Sequence, residues 1–79
     1  EPTFFAEWAS LDLRVKRYDE GISAASRCIE LAHEYADGYL LLGLLYKEKN
    51  MKAEAIKNLK KAEELGDKRA AGYLEKIKK

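Results

Sequence analysis

Apolar residues recur at helical spacing along almost the whole chain, and their period predicts five helices, near 3–14, 18–33, 36–48, 51–65 and 67–78. One stretch exceeds what an amphipathic helix needs. Residues 39–46, YLLLGLLY, carry no charge and are apolar on every face, whereas one apolar stripe is enough to dock a helix. The additional face calls for a cover: the chain's own core, a second copy or a ligand.

Local chemistry sets the breaks. Lys16-Arg17 follows the first apolar run, and Asp19-Glu20 then favour a helix start by charge. His33-Glu34 is a polar interruption. At Lys49-Asn50, asparagine tolerates the left-handed conformation and is expected to cap the helix that follows. At Gly66-Asp67, glycine ends one helix after Leu65 and aspartate caps the next.

Shifting the sequence by 34 positions exposes an internal repeat. Phe5 lands on Tyr39 and Tyr39 on Tyr73. Trp8 meets Leu42, Ala9 meets Gly43, Gly21 meets Ala55 and Ile22 meets Ile56. Ala25, Cys28 and Leu31 meet Leu59, Ala62 and Leu65, and the acids agree at Glu20/Glu54 and Glu30/Glu64. Large positions mostly match large ones and small match small. The expected class is all-α: an α-α superhelix of tandem helix-turn-helix repeats with a C-terminal capping helix. The whole of 1–79 reads as one domain, with repeat one at about 2–35, repeat two at about 36–69 and the capping helix at about 67–79.

The second unit resembles a tetratricopeptide repeat. Tyr39, Leu42, Gly43 and Tyr46 fill that family's aromatic-x-x-Leu-Gly-x-x-Tyr pattern, and Ala55, Leu59 and Ala62 match its small–large–small second helix. Asp67 stands where the family often has proline. The first unit keeps the size pattern in Phe5, Trp8, Ala9, Gly21, Ala25 and Cys28, but has Asp12 in place of the second tyrosine. The run KAEELGDKRAAGYL, starting at Lys61, is also similar to the related Sel1-type repeat. Physics supports the same positions. Antiparallel helices approach closely only where a small residue faces the partner, and a mid-helix glycine costs about 1 kcal/mol against alanine. Gly43 therefore implies a packing gain that offsets the loss, with Ala55 and Ala62 completing the contact and Tyr39, Leu42, Tyr46, Ile56, Leu59 and Leu65 filling the space around it.

The 34-residue register puts Ile77 where the earlier units have Ala9 and Gly43, and leaves Glu75, Lys76, Lys78 and Lys79 as a polar outer face suited to a terminal helix. The other end differs. Pro2-Thr3-Phe4-Phe5 opens on an apolar helix with no polar unit before it, and two repeats are fewer than the three or so a stack needs. Together with a first residue other than methionine, this predicts the C-terminal repeats of a larger protein, or self-association that replaces missing repeats.

Charge narrows the function. Fifteen basic against fourteen acidic residues leave +1, no footprint for nucleic acid or an anionic membrane, and no apolar run is long enough to span a bilayer. Cys28 is the only cysteine and sits at a small helical position, as core filler rather than nucleophile. His33, the only histidine, falls in a turn. No metal-ligand spacing and no phosphate loop occurs, so neither catalysis nor a cofactor is expected. One free cysteine and no visible export signal leave the cytoplasm as the default compartment.

The resemblance implies a concave groove lined by the first helix of each unit. Its expected lining is Asp37, Leu40, Leu41, Leu44 and Lys47, with Thr3, Ala6, Glu7, Ser10 and Leu13 before and Ala71, Leu74, Glu75 and Lys78 after. Relatives that clamp a chaperone's C-terminal carboxylate use Lys, Asn and Arg; the matching residues here are Ala6, Ser10, Leu41, Ala71 and Glu75, so that clamp is not expected. An apolar centre with a mixed rim suits a peptide or amphipathic helix. The leading expectation is a non-catalytic protein-interaction module, the alternatives being a homo-oligomerising segment or an accessory domain of a larger enzyme. Leu40, Leu41 and Leu44 would serve either a ligand or simply the core.

Overall fold

The computed structural model describes residues 2–78. It contains α1 (Pro2–Arg14), α2 (Tyr18–Leu31), α3 (Ala36–Glu48), α4 (Lys52–Glu64) and α5 (Lys68–Lys78), and no strand among the described residues. Lys79, the last residue of the expected capping helix, lies outside them. Packing runs between chain neighbours, α1 on α2, α2 on α3, α3 on α4 and α4 on α5, and α1 also touches α3. The result is a helical-repeat stack 34 × 25 × 16 Å in extent. Its thinnest dimension suits two helix layers at about 8–10 Å each.

Three turns share one geometry. Lys16, Asn50 and Gly66 each take positive φ, at 67°, 63° and 102°. In each turn the next residue's N–H reaches back five positions: Arg17 to Asp12 O (2.7 Å), Met51 to Tyr46 O (2.9 Å) and Asp67 to Ala62 O (3.0 Å). This is the Schellman closure, which satisfies carbonyls that a helix end would otherwise orphan. Asn50 thus fulfils its left-handed role but does not cap α4. Met51 occupies the N-cap, without a side-chain cap bond. Lys16 adopts the same conformation against its propensity, because repeat geometry demands it there. Asp67 does cap α5: its Oδ1 accepts from the Arg69 backbone N–H at 3.0 Å.

The core forms two clusters. The first joins Ala6, Ala9, Ala24, Ala25, Cys28, Leu41, Leu42 and Leu45, across α1, α2 and α3. The second joins Leu40, Ala55, Leu59, Ala62, Ala70, Leu74 and Ile77, across α3, α4 and α5. Thus α3 serves both clusters, which explains an octapeptide apolar on every face. Tyr46 packs against both. Gly43 makes the closest approach: a Cβ there would lie 2.5 Å from Leu59 Cγ and 3.2 Å from the Ala55 carbonyl oxygen.

Candidate functional site

A cavity of about 410 Å³ opens on the layer formed by α1, α3 and α5. Helix α1 contributes Thr3, Ala6, Glu7, Ser10 and Leu13; α3 contributes Asp37, Leu40, Leu41 and Leu44; Tyr35 closes the intervening turn. From α5 come Arg69 and Tyr73. Of the expected lining, Asp37, Leu40, Leu41, Leu44, Ser10 and Leu13 are therefore brought together. Lys47 is not: it lies exposed near Asn50, Lys52 and Ile77. Nor is Leu74, which is 5% exposed and packed with Leu40 and Leu59.

Leu74 is displaced from the groove by a change of register. Helix α3 begins at Ala36 and α5 at Lys68, an offset of 32 rather than 34. Helix α4 is one residue shorter than α2, and three residues link α4 to α5 whereas four link α2 to α3. Ala70, Leu74 and Ile77 of α5 accordingly take the places that Gly38, Leu42 and Leu45 hold on α3, all buried. Ile77 is thus a core residue and not the counterpart of Gly43, and Tyr73 follows Leu41 rather than Tyr39. The expected lining residues Ala71 and Glu75 give way to Arg69 and Tyr73.

Two of the three groove leucines are covered by the chain's own atoms. Leu40 belongs to the second cluster at 4% exposure and Leu41 to the first at 8%. Leu44 is half-buried and faces the opening. Beside it, Arg69 ties α5 to the start of α3. Its Nε donates to Asp67 Oδ1 at 3.0 Å and its Nη2 to Asp67 Oδ2 at 2.8 Å, while Nη2 also reaches Asp37 Oδ1. The hydrogen bond from Arg69 holds the Asp67 carboxyl below the usual carboxylate range, and both acids push the guanidinium pKa upward. The groove's basic group is already engaged by two carboxylates, which leaves it poorly placed to clamp a third.

Cys28 is fully buried in the first cluster; burial, then the nearby Asp37 charge, raises its thiol pKa. A thiol held protonated in an apolar wall is a poor nucleophile. His33 is exposed in the turn after α2. Among the described residues, no group of three or more His, Cys, Asp or Glu is placed to hold a metal ion, and no helix is long and apolar enough to cross a membrane.

A second concavity, about 340 Å³, lies between α1 and α2, lined by Phe5, Trp8 and Asp12 with Arg17, Glu20, Ser23, Ala24 and Arg27. The Phe5 and Trp8 rings stack at 6.4 Å and 9°. Arg27 lies over Phe5, 5.7 Å from its centroid. Asp12 is 3% exposed, and one of its carboxylate oxygens has no hydrogen-bond partner. Alongside runs an exposed apolar stripe of Phe4, Trp8, Leu11 and Val15, each half exposed or more. None of these four residues lines the groove of α1, α3 and α5. The stripe's signal was present in the 4-3-4 spacing, and in the shift that lays Phe4 on Gly38 and Leu11 on Leu45.

No family model matches the chain, no curated protein matches it, and no solved structure matches it.

Proposed function

We propose that the chain is a tetratricopeptide-like, non-catalytic interaction module that takes a short peptide or the apolar edge of a helix into the groove of α1, α3 and α5. One observation carries this reading. Three helices from successive units converge on half-buried Leu44, above a floor of Leu40 and Leu41 and between the Tyr35 and Tyr73 rings. An apolar floor with a polar rim is the usual composition of a peptide-recognition groove. With Arg69 occupied, affinity would come from one or two apolar anchors rather than from charge.

The test is a random-peptide display selection followed by amide-shift mapping on the labelled chain. Selected peptides are expected to move the Leu41, Leu44 and Tyr73 resonances, and Leu44→Glu is expected to remove binding while leaving the circular dichroism spectrum intact. Peptides that bind Leu44→Glu equally well, or shifts confined to other surfaces, would overturn the proposal.

A further inference from the structure

We infer that the outer face of α1 is a two-fold, antiparallel docking surface for a second copy of this chain, distinct from the groove. The repeat itself identifies the face. Along α3 and its C-cap, the counterparts of Phe4, Trp8, Leu11 and of Val15 just past α1 are Gly38, Leu42, Leu45 and Lys49. Helix α2 covers them: Gly38 is pressed on Ile29 and Cys28, Leu42 and Leu45 are buried, and Lys49 reaches Asp19. The same side of α1 carries larger apolar groups and is bare. Phe4 is 59% exposed, Trp8 51% and Val15 52%.

The occupant follows from what each copy has left to offer. A head-to-tail neighbour would have to present an α4 surface, but α5 already covers α4. The outward side of α5 offers Gly72, Glu75 and Lys76, all exposed, and polar groups do not desolvate a tryptophan face. The stripe matches itself instead. Phe4, Trp8, Leu11 and Val15 have coiled-coil spacing, and a two-fold axis sets Trp8 against the second copy's Leu11, and Phe4 against its Val15. An isologous contact of this kind closes on itself.

Charge agrees with the antiparallel sense. Glu7, which also borders the groove, and Arg14, both exposed, lie one heptad apart on the same flank of the stripe. Antiparallel pairing brings each Glu7 to the opposite Arg14, twice, whereas a parallel pair would set like charges level.

A pair of 13-residue helices is small for an interface, so the dimer is expected to be weak. Sedimentation equilibrium from about 10 μM to about 1 mM, the range suited to interfaces under about 1,200 Å², should show the mass rising from 9.0 kDa toward twice that value. Trp8 is the only tryptophan, so its emission should move to the blue over the same range. Leu11→Glu should hold the chain monomeric with an unchanged circular dichroism spectrum. Glu7→Arg and Arg14→Glu should each weaken association at least tenfold, and the double variant should restore it. A monomer throughout the range overturns the proposal, as does a dimer that survives Leu11→Glu, one that dissociates with Leu44→Glu instead, or one in which the double charge variant is no better than the singles.

Discussion

Helix α3 lays Gly38, Leu42 and Leu45 against the preceding helix, whereas α1 turns the equivalent Phe4, Trp8 and Leu11 to solvent. Inside the hairpins the contrast runs the other way. In the second, glycine meets leucine, with Leu59 fully buried over Gly43. In the first, the same positions hold Ala9 and Ala25, both fully buried. One backbone plan is thus filled by two volume distributions. The second hairpin gains from one deep knob-in-hole contact. The first packs small residues inside and keeps its large ones on the outside.

The largest expected effect comes from erasing that knob. Leu59→Ala should destabilise the fold by about 2–5 kcal/mol in urea denaturation. Gly43→Ala alone should cost about 1–3 kcal/mol, since its Cβ meets Leu59 and a backbone oxygen that cannot yield. The double variant recreates the first hairpin's alanine pair. It should cost clearly less than the two singles together, because the new methyl occupies space that the leucine vacates. Full additivity would mean that the two residues do not share one contact.

Asp12 sharpens the contrast from the other side, standing where the second hairpin has Tyr46. Its partnerless buried oxygen should make Asp12→Leu stabilising by about 1–3 kcal/mol at low protein concentration. A loss of stability there would show that the carboxylate is satisfied in solution.

The smallest effect concerns α5. Asp67→Ala removes a cap, at a cost of about 0.5–2 kcal/mol. The sign with pH is fixed by its depressed pKa. The folded state holds the proton less tightly than the unfolded chain does, so the carboxylate's contribution is complete above the ordinary carboxylate pKa of about 3.9 and is lost as pH falls through the lower, folded value. Thermal melts of the two proteins should therefore differ at pH 7 and converge in strong acid.

Much of this was legible in the residues. Helical period located all five helices to within two residues at each end, and the 34-residue shift found the correspondence of α1 with α3 and α2 with α4. Gly43 was recognisable as a close approach because nothing else justifies its cost. The register of α5 was not legible. Tyr39 and Tyr73 match by residue type, but α4 and the link after it are each one residue shorter than α2 and its link, which moves the helix by two residues, and buried Ala70, Leu74 and Ile77 decide its rotation. Side-chain likeness is a weak constraint beside the volume that must be filled. Groove membership failed for Leu74 for that reason. Lys16 was missed as a left-handed residue because closure of the turn, rather than its own preference, sets its φ.

Cys28 can serve as a clock. Its sulfur sits where α3 crosses α2, and a Cβ on Gly38 would stand only 3.2 Å from it. No reagent reaches that thiol while the two hairpins stay docked. The rate at which it is labelled therefore counts separations of one hairpin from the other. Comparing that rate with the rate of global unfolding measures how far the two halves of this small stack melt as one body or come apart as two.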